Sequence, residues 1–126
     1  MERIVIVDSN PRALMELTVA MSAMRFGVTA IEPRVPLSAA SRLARQRPAA
    51  MVVALDCDEN LSDIRSLLAG APETKVVFLV PAMPPKAALM RVVNEHGATV
   101  LAQEEAPMVL AATLVALLAP RSYGVA

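Results

Sequence analysis

Few side chains in this sequence could carry chemistry. Cys57 is the single cysteine and His96 the single histidine, so an intramolecular disulfide and a clustered zinc site are excluded, and metal–thiolate and Cys–His chemistry are not expected. Asp56, Asp58, Glu59 and Asp63 form an acidic stretch with the oxygen ligands that a hard divalent cation takes. Such ligands must converge in space to hold an ion, and the expectation is a solvated acidic loop with no metal. The carboxylates beside Cys57 disfavour its thiolate, so the thiol is expected to be inert. Asp8 closes an apolar run, where its carboxylate can accept hydrogen bonds from the amides that begin a helix. His96 ends a helical segment and complements that helix's dipole. Arg34, Arg42, Arg45 and Arg47 make a basic flank suited to an acidic partner or a nucleotide phosphate, with a solvated face as the plainer alternative.

Composition narrows the classes further. The chain has 126 residues, 56 % of them apolar and 19 % charged, which is one domain with a sizeable core and no character of disorder. Twelve basic side chains balance twelve acidic ones, so the net charge offers no reason to expect nucleic acid or an anionic membrane as partner. The longest uncharged run, residues 106–120, is 15 residues long, short of the roughly 18–20 that span a bilayer. Phe26, Phe78 and Tyr123 are the only aromatic residues, too few for a base-stacking platform. The four glycines (Gly27, Gly70, Gly97, Gly124) form neither a Gly-x-Gly-x-x-Gly nor a Gly-Lys-Ser/Thr loop, so no phosphate cradle is available. The N-terminus lacks the basic, apolar and small-residue series of a signal peptide, and the chain is expected to be cytoplasmic.

The elements that position these residues are legible in the pattern. Residues 3–7, Arg-Ile-Val-Ile-Val, are β-branched without alternation, as in a strand buried on both faces of a parallel sheet. Residues 51–55, 76–80 and 99–102 share that character, and the more polar residues 28–32 suit a sheet edge. Ser9 or Asn10 and Pro11 begin a first helix with Leu14, Leu17, Met21 and Met24 on one face, ended by Phe26-Gly27. Ser38 is expected to cap a second helix with Ala39, Ala40 and Leu43 inward, stopped by Pro48. A third runs over 61–68 and is closed by Ala69-Gly70. A fourth starts at Pro84-Pro85, carries Ala88, Leu89, Val92 and Val93 inward and ends at His96-Gly97. The fifth spans about 107–119. Alternating strands and helices predict a doubly wound α/β domain over residues 1–120, with residues 121–126 as a linker or tail. Its chemistry belongs at the carboxyl ends of the strands.

This order resembles the receiver domain of two-component response regulators over residues 2 to about 119. The residues that carry the likeness are Ile-Val-Ile-Val-Asp at the first strand end, Arg-Pro-Ala-Ala-Met-Val-Val-Ala before the third loop, and His-Gly-Ala before the fifth strand. The resemblance implies a flavodoxin-like (βα)5 parallel sheet in the order 2-1-3-4-5. It also implies a phosphoryl-accepting aspartate after the third strand, with Mg²⁺ on carboxylates and a lysine balancing the phosphoryl charge.

At those positions the chain departs from the family. The acidic pair after the first strand reads Asp8-Ser9. The acceptor place, six residues after Pro48, falls on Ala54, whose methyl group cannot be phosphorylated. The hydroxyl after the fourth strand is replaced by Pro81, which has neither a hydroxyl nor an N–H. The Lys-Pro after the fifth strand becomes Gln103-Glu104, or Glu104-Glu105 if the register moves by one, and the aromatic switch position becomes Leu101 or Ala102. The expectation is a degenerate pseudo-receiver without catalysis, cofactor or metal. It would act as a phosphorylation-independent interaction or dimerisation module in signal transduction or transcription regulation. The alternative is a phosphorelay receiver that uses Asp56 as its acceptor.

The fifth helix bears on the partner. Residues 108–119 carry no charge, although a helix with one face on a sheet should be polar on the other. Leu110, Leu114, Leu117 and Leu118 serve the core, leaving Met108, Ala111, Ala112, Val115 and Ala119 for a partner. Because the receivers that this chain resembles pair through the fourth helix, fifth strand and fifth helix, a two-fold homodimer or an equivalent protein partner is expected there. Direct contact with nucleic acid or membrane is not expected.

Overall fold

The computed structural model describes residues 2–56, 59–81 and 85–119. The expectations for Cys57, Asp58, Pro84, Tyr123 and the 121–126 tail lie outside the described residues. Five parallel strands form one sheet: β1 (Arg3–Val7), β2 (Gly27–Ile31), β3 (Ala50–Ala54), β4 (Lys75–Val80) and β5 (Thr99–Ala102). Their spatial order is β2-β1-β3-β4-β5, the flavodoxin-like arrangement. β3 and β4 lie inside the sheet, which accounts for strands buried on both faces. The polar β2 occupies an edge.

The helices are α1 (Pro11–Ala23), α2 (Pro36–Ala44), α3 (Leu61–Gly70), α4 (Ala87–His96) and α5 (Met108–Leu118), with a 3₁₀ turn at Gln103–Glu105. Successive side chains of a strand point to opposite faces, so the β-branched runs feed two cores at once. Val5, Val7, Met51, Val53 and Phe78 meet α2, α3 and α4 through Leu37, Ile64, Leu67, Val92 and Val93. On the other face Ile4, Ile6, Val52, Val77 and Leu79 meet α1 and α5 through Leu14, Leu17, Met21, Leu110 and Leu114. Each fully buried aliphatic side chain contributes about 1.5–3 kcal/mol. No helix among the described residues is long and apolar enough to cross a membrane.

Several local expectations are corrected. The second and third strands each begin and end one residue earlier than the pattern suggests, at Gly27–Ile31 and Ala50–Ala54. Ser38 is not a cap: α2 begins at Pro36, whose fixed φ favours the first turn, and Val35 supplies no side-chain cap. Met24 lies beyond α1 and is exposed, because the chain leaves the helix at Ala23. Gly70 is the last residue of α3, with Ala71 as its cap. Ala88 is exposed on α4, leaving Leu89, Val92 and Val93 to face the core. The cap of α1 is Asn10, whose side chain accepts from the N–H groups of Arg12 and Ala13. Gly97 caps α4 at φ +70°, a conformation that costs glycine nothing. Two arginines adopt the same left-handed region, Arg25 at φ +66° and Arg47 at φ +51°, where a residue with a Cβ loses about 1–2 kcal/mol.

Candidate functional site

The strand register carries Asp8, Ala54 and Gln103 to one edge of the sheet. Val7 pairs with Val53, so Asp8 and Ala54, the next residues, sit side by side at the carboxyl ends of β1 and β3. Val80 pairs with Ala102, so Pro81 and Gln103 follow at the ends of β4 and β5. A cleft of about 200 Å³ opens over this edge, lined by Asp8, Ser9, Glu16, Ala54, Asp56 and Gln103 among others. Sequence reasoning thus places four of its five strand-end positions in one cleft. Pro81 instead lines a neighbouring cavity of about 230 Å³ between α3 and α4, which shares Leu55 and Asp56 with the cleft.

Asp8 is the buried acid of the site, only 7 % exposed. Its Oδ1 accepts the Asn10 N–H at 2.9 Å, and its own N–H donates to the Ile31 carbonyl at 3.2 Å. Burial pushes its carboxyl above the ordinary carboxylate range, and the nearby Asp56 charge pushes the same way against the Asn10 hydrogen bond. The expected structural use of Asp8, accepting an amide beside a helix start, is therefore present. Asp56 is exposed, two residues past the end of β3, and its N–H donates to Glu59 Oε1 at 2.8 Å. Gln103 donates from Nε2 to the Leu55 carbonyl at 3.2 Å, tying the end of β5 to the loop after β3. Glu105 accepts the Ala102 N–H at 3.3 Å.

Chemically, the cleft holds carboxylates, the two amides of Asn10 and Gln103 and a hydroxyl, and among the described residues no lysine or arginine lines it. A phosphoryl group placed there meets negative charge without a balancing cation. Among the described residues no three His, Cys, Asp or Glu side chains are grouped to hold a metal ion. Glu16 carries no mark in the sequence, whereas Glu59 belongs to the acidic stretch already noted there. Glu16 reaches the cleft from the second turn of α1, and Glu59 folds back onto the β3–α3 loop. The Glu16 contact has no sequence signature, because it depends on how α1 packs, while the Glu59 contact is local to the loop.

The residues expected to face a partner are partly buried and partly exposed. Leu110 and Leu114 are fully buried, and Leu117 and Leu118 are half-buried against the same core. Met108 is 82 % and Val115 47 % exposed, Ala112 is exposed, and Ala119 is half-buried. Ala111 is half-buried and packs inward, and Val109 is an exposed apolar residue that the helical wheel did not mark. His96 ends α4, with Nδ1 3.1 Å from the Val92 carbonyl.

No family model matches this sequence, and no curated protein does either. Solved structures share the fold. A putative pilus assembly-related protein from Burkholderia pseudomallei superposes with a TM-score of 0.71 at 15 % identity, covering 93 % of this chain and 89 % of that one. The pilus assembly protein CpaE from Caulobacter crescentus gives 0.69 at 20 % identity, over 93 % and 99 %. The chemotaxis protein CheY4 from Vibrio cholerae gives 0.70 at 14 % identity, over 94 % and 99 %. At these identities the likeness establishes the receiver fold and nothing finer.

Proposed function

We propose that this chain is a receiver-type domain that acts by binding protein partners in a signalling or assembly context, without an aspartyl-phosphate switch. The observation that carries this reading is Ala54: it ends β3 beside Asp8 in the strand-end cleft, where a receiver of the ordinary kind presents its acceptor carboxylate. Pro81 and Gln103 at the ends of β4 and β5 remove the hydroxyl and the cation from the same edge. The neighbours of like fold include both a chemotaxis protein and pilus assembly proteins, and a non-catalytic docking module is a role that suits either setting. The domain spans residues 1–120 in this proposal, with 121–126 leading out of it, and its place of work is the cytoplasm.

The docking surface in this account is the exposed apolar side of α5, Met108, Ala112 and Val115 with Ala119 at its end, with Ala111 at its inner margin. Small residues there let a second helix approach closely, so a two-fold homodimer or an equivalent partner helix fits it. Sedimentation of the wild type with and without beryllofluoride and Mg²⁺ tests the reading. Association is expected to be the same in both conditions and to be lost in Val115→Arg. Association that appears only with beryllofluoride supports the rival reading, an active receiver using Asp56. One observation favours that rival: Asp56 lines the same cleft as Asp8 and Ser9.

A further inference from the structure

The net charge of zero conceals a segregation of charge between the two ends of the sheet. At the carboxyl edge stand Asp8, Asp56, Glu59, Asp63, Glu104 and Glu105, against Arg34 and Lys86. Arg12 is occupied by Glu16 at 3.5 Å, and Glu32 sits in the same loop as Arg34. At the amino edge stand Arg3, Arg25, Arg42, Arg45, Arg47 and Lys75, against Glu2, Glu73 and Glu95, the last of them paired with Arg65. Backbone hydrogen bonds tie this edge together: Gly27 N–H to Glu2 O at 2.8 Å, Ala49 N–H to Arg3 O at 2.9 Å, and Lys75 N–H to Ala49 O at 3.0 Å. Arg3 donates to Gln46 at 3.3 Å, which holds it toward the turn that carries Arg45 and Arg47. Among the described residues the ion pairs are Arg12–Glu16 and Arg65–Glu95, so this arginine edge is not neutralised within the chain.

Cations near helix C-termini commonly complement the helix dipole, and Arg42 in the last turn of α2 does so. That account does not reach Arg25 and Arg47. Both lie past their helices, both occupy turns into adjacent strands, and both hold a left-handed backbone that glycine would adopt without strain. A left-handed residue just past a helix is a common way to end it, as the Phe26 N–H to Met21 carbonyl bond shows after α1, and at both of these ends an arginine stands where glycine is the usual residue. The acidic edge has a matching shape. Its cavity of about 230 Å³ is walled by Leu55, Leu61, Ile64, Val80 and Leu89, with Asp56, Glu59 and Lys86 among its charged lining. Apolar walls beside carboxylates suit an arginine, whose methylene stem packs on carbon while its planar head takes carboxylates in pairs.

We propose that copies of this chain associate head to tail, the arginine edge of one against the acidic edge of the next, with an arginine entering the cavity between α3 and α4. The two surfaces differ, so the contact is heterologous and extends into open chains without closing at a dimer. This surface is separate from the apolar side of α5, and its signature is salt: screening shortens from about 30 Å at about 10 mM to about 3 Å at about 1 M.

Sedimentation velocity of the Val115→Arg protein, in which the α5 contact is broken, tests it. At about 10 mM salt the sedimentation coefficient is expected to climb steadily with concentration, and at about 1 M it is expected to stay at the monomer value. Arg25→Glu with Arg47→Glu should abolish the climb, as should Asp56→Lys with Glu59→Lys, and mixing the two variants should give a one-to-one complex through the single contact that each pair leaves intact, whereas the parent's association continues past a dimer. Circular dichroism checks that each is folded, and Arg25→Gly with Arg47→Gly removes the same charges while relaxing the backbone. The proposal is overturned if the protein stays monomeric at low salt, if association stops at a dimer, or if the charge-reversed variants associate like their parent. Binding of a short duplex DNA through the arginine edge, with no self-association, also overturns it.

Discussion

Asp8 shows how one residue can be kept for structure. Its Oδ1 fixes the turn into α1 through Asn10 N–H, yet burial and the Asp56 charge favour its protonated form. The folded state therefore holds the proton to a higher pH than the unfolded chain does, and stability from this group falls as pH rises from the ordinary carboxylate range through the raised value. Asp8→Asn keeps an acceptor oxygen and removes the charge. Its melting temperature is expected to exceed that of the wild type at pH 7 and to match it at about pH 3, below the ordinary aspartate value. A lower melting temperature at pH 7 would show that the carboxylate stabilises the turn as an ion. Arg25 and Arg47 present the opposite economy, a local loss retained at an exposed position. Arg25→Gly should raise stability by up to about 1 kcal/mol in urea unfolding, because glycine enters the left-handed region without a Cβ clash. Arg47→Gly should act likewise. A loss of stability in both would mean that their side chains stabilise the monomer through packing.

At the scale of elements, α5 separates two roles along one uncharged helix. Leu114 is fully buried between the sheet and α1, and Leu114→Ala should cost about 2–5 kcal/mol of stability. Val115, one position on, is half-exposed, and Val115→Arg should change monomer stability by no more than about 0.5 kcal/mol while removing the proposed dimer. Equal losses of stability in the two variants would place Val115 in the core. The helices and strands themselves were largely legible, since β-branched runs and helical spacing report burial directly. The boundaries were less so. Pro36 outcompeted Ser38 as the start of α2 because a fixed φ outweighs a cap that the chain does not need there, and Met24 was lost from α1 because Arg25 turns left-handed. The strand-end positions Asp8, Ser9, Ala54 and Gln103 could be read from the order of strands alone. Pro81 fell on the neighbouring cavity, and Glu16 joined the cleft through the packing of α1, which no sequence spacing records. The net charge misled in one respect, because a sum over the chain cannot show which end of a strand each charge occupies.

At the scale of the molecule, the fold supplies a receiver scaffold with an acidic edge, an arginine edge and an apolar helix face, and among the described residues the cleft is lined by no lysine or arginine. Such a cleft should also be indifferent to Mg²⁺. Millimolar Mg²⁺ is expected to leave the melting temperature unchanged, since an octahedral ion that sheds water reluctantly finds few converging ligands. A rise reversed by Asp8→Asn would contradict that. The central claim, a receiver that works without phosphate, is most directly tested by intact-mass spectrometry after incubation with acetyl phosphate and Mg²⁺. The account predicts an unmodified mass. A stoichiometric, hydroxylamine-sensitive phosphoryl adduct that disappears in Asp56→Asn would contradict it.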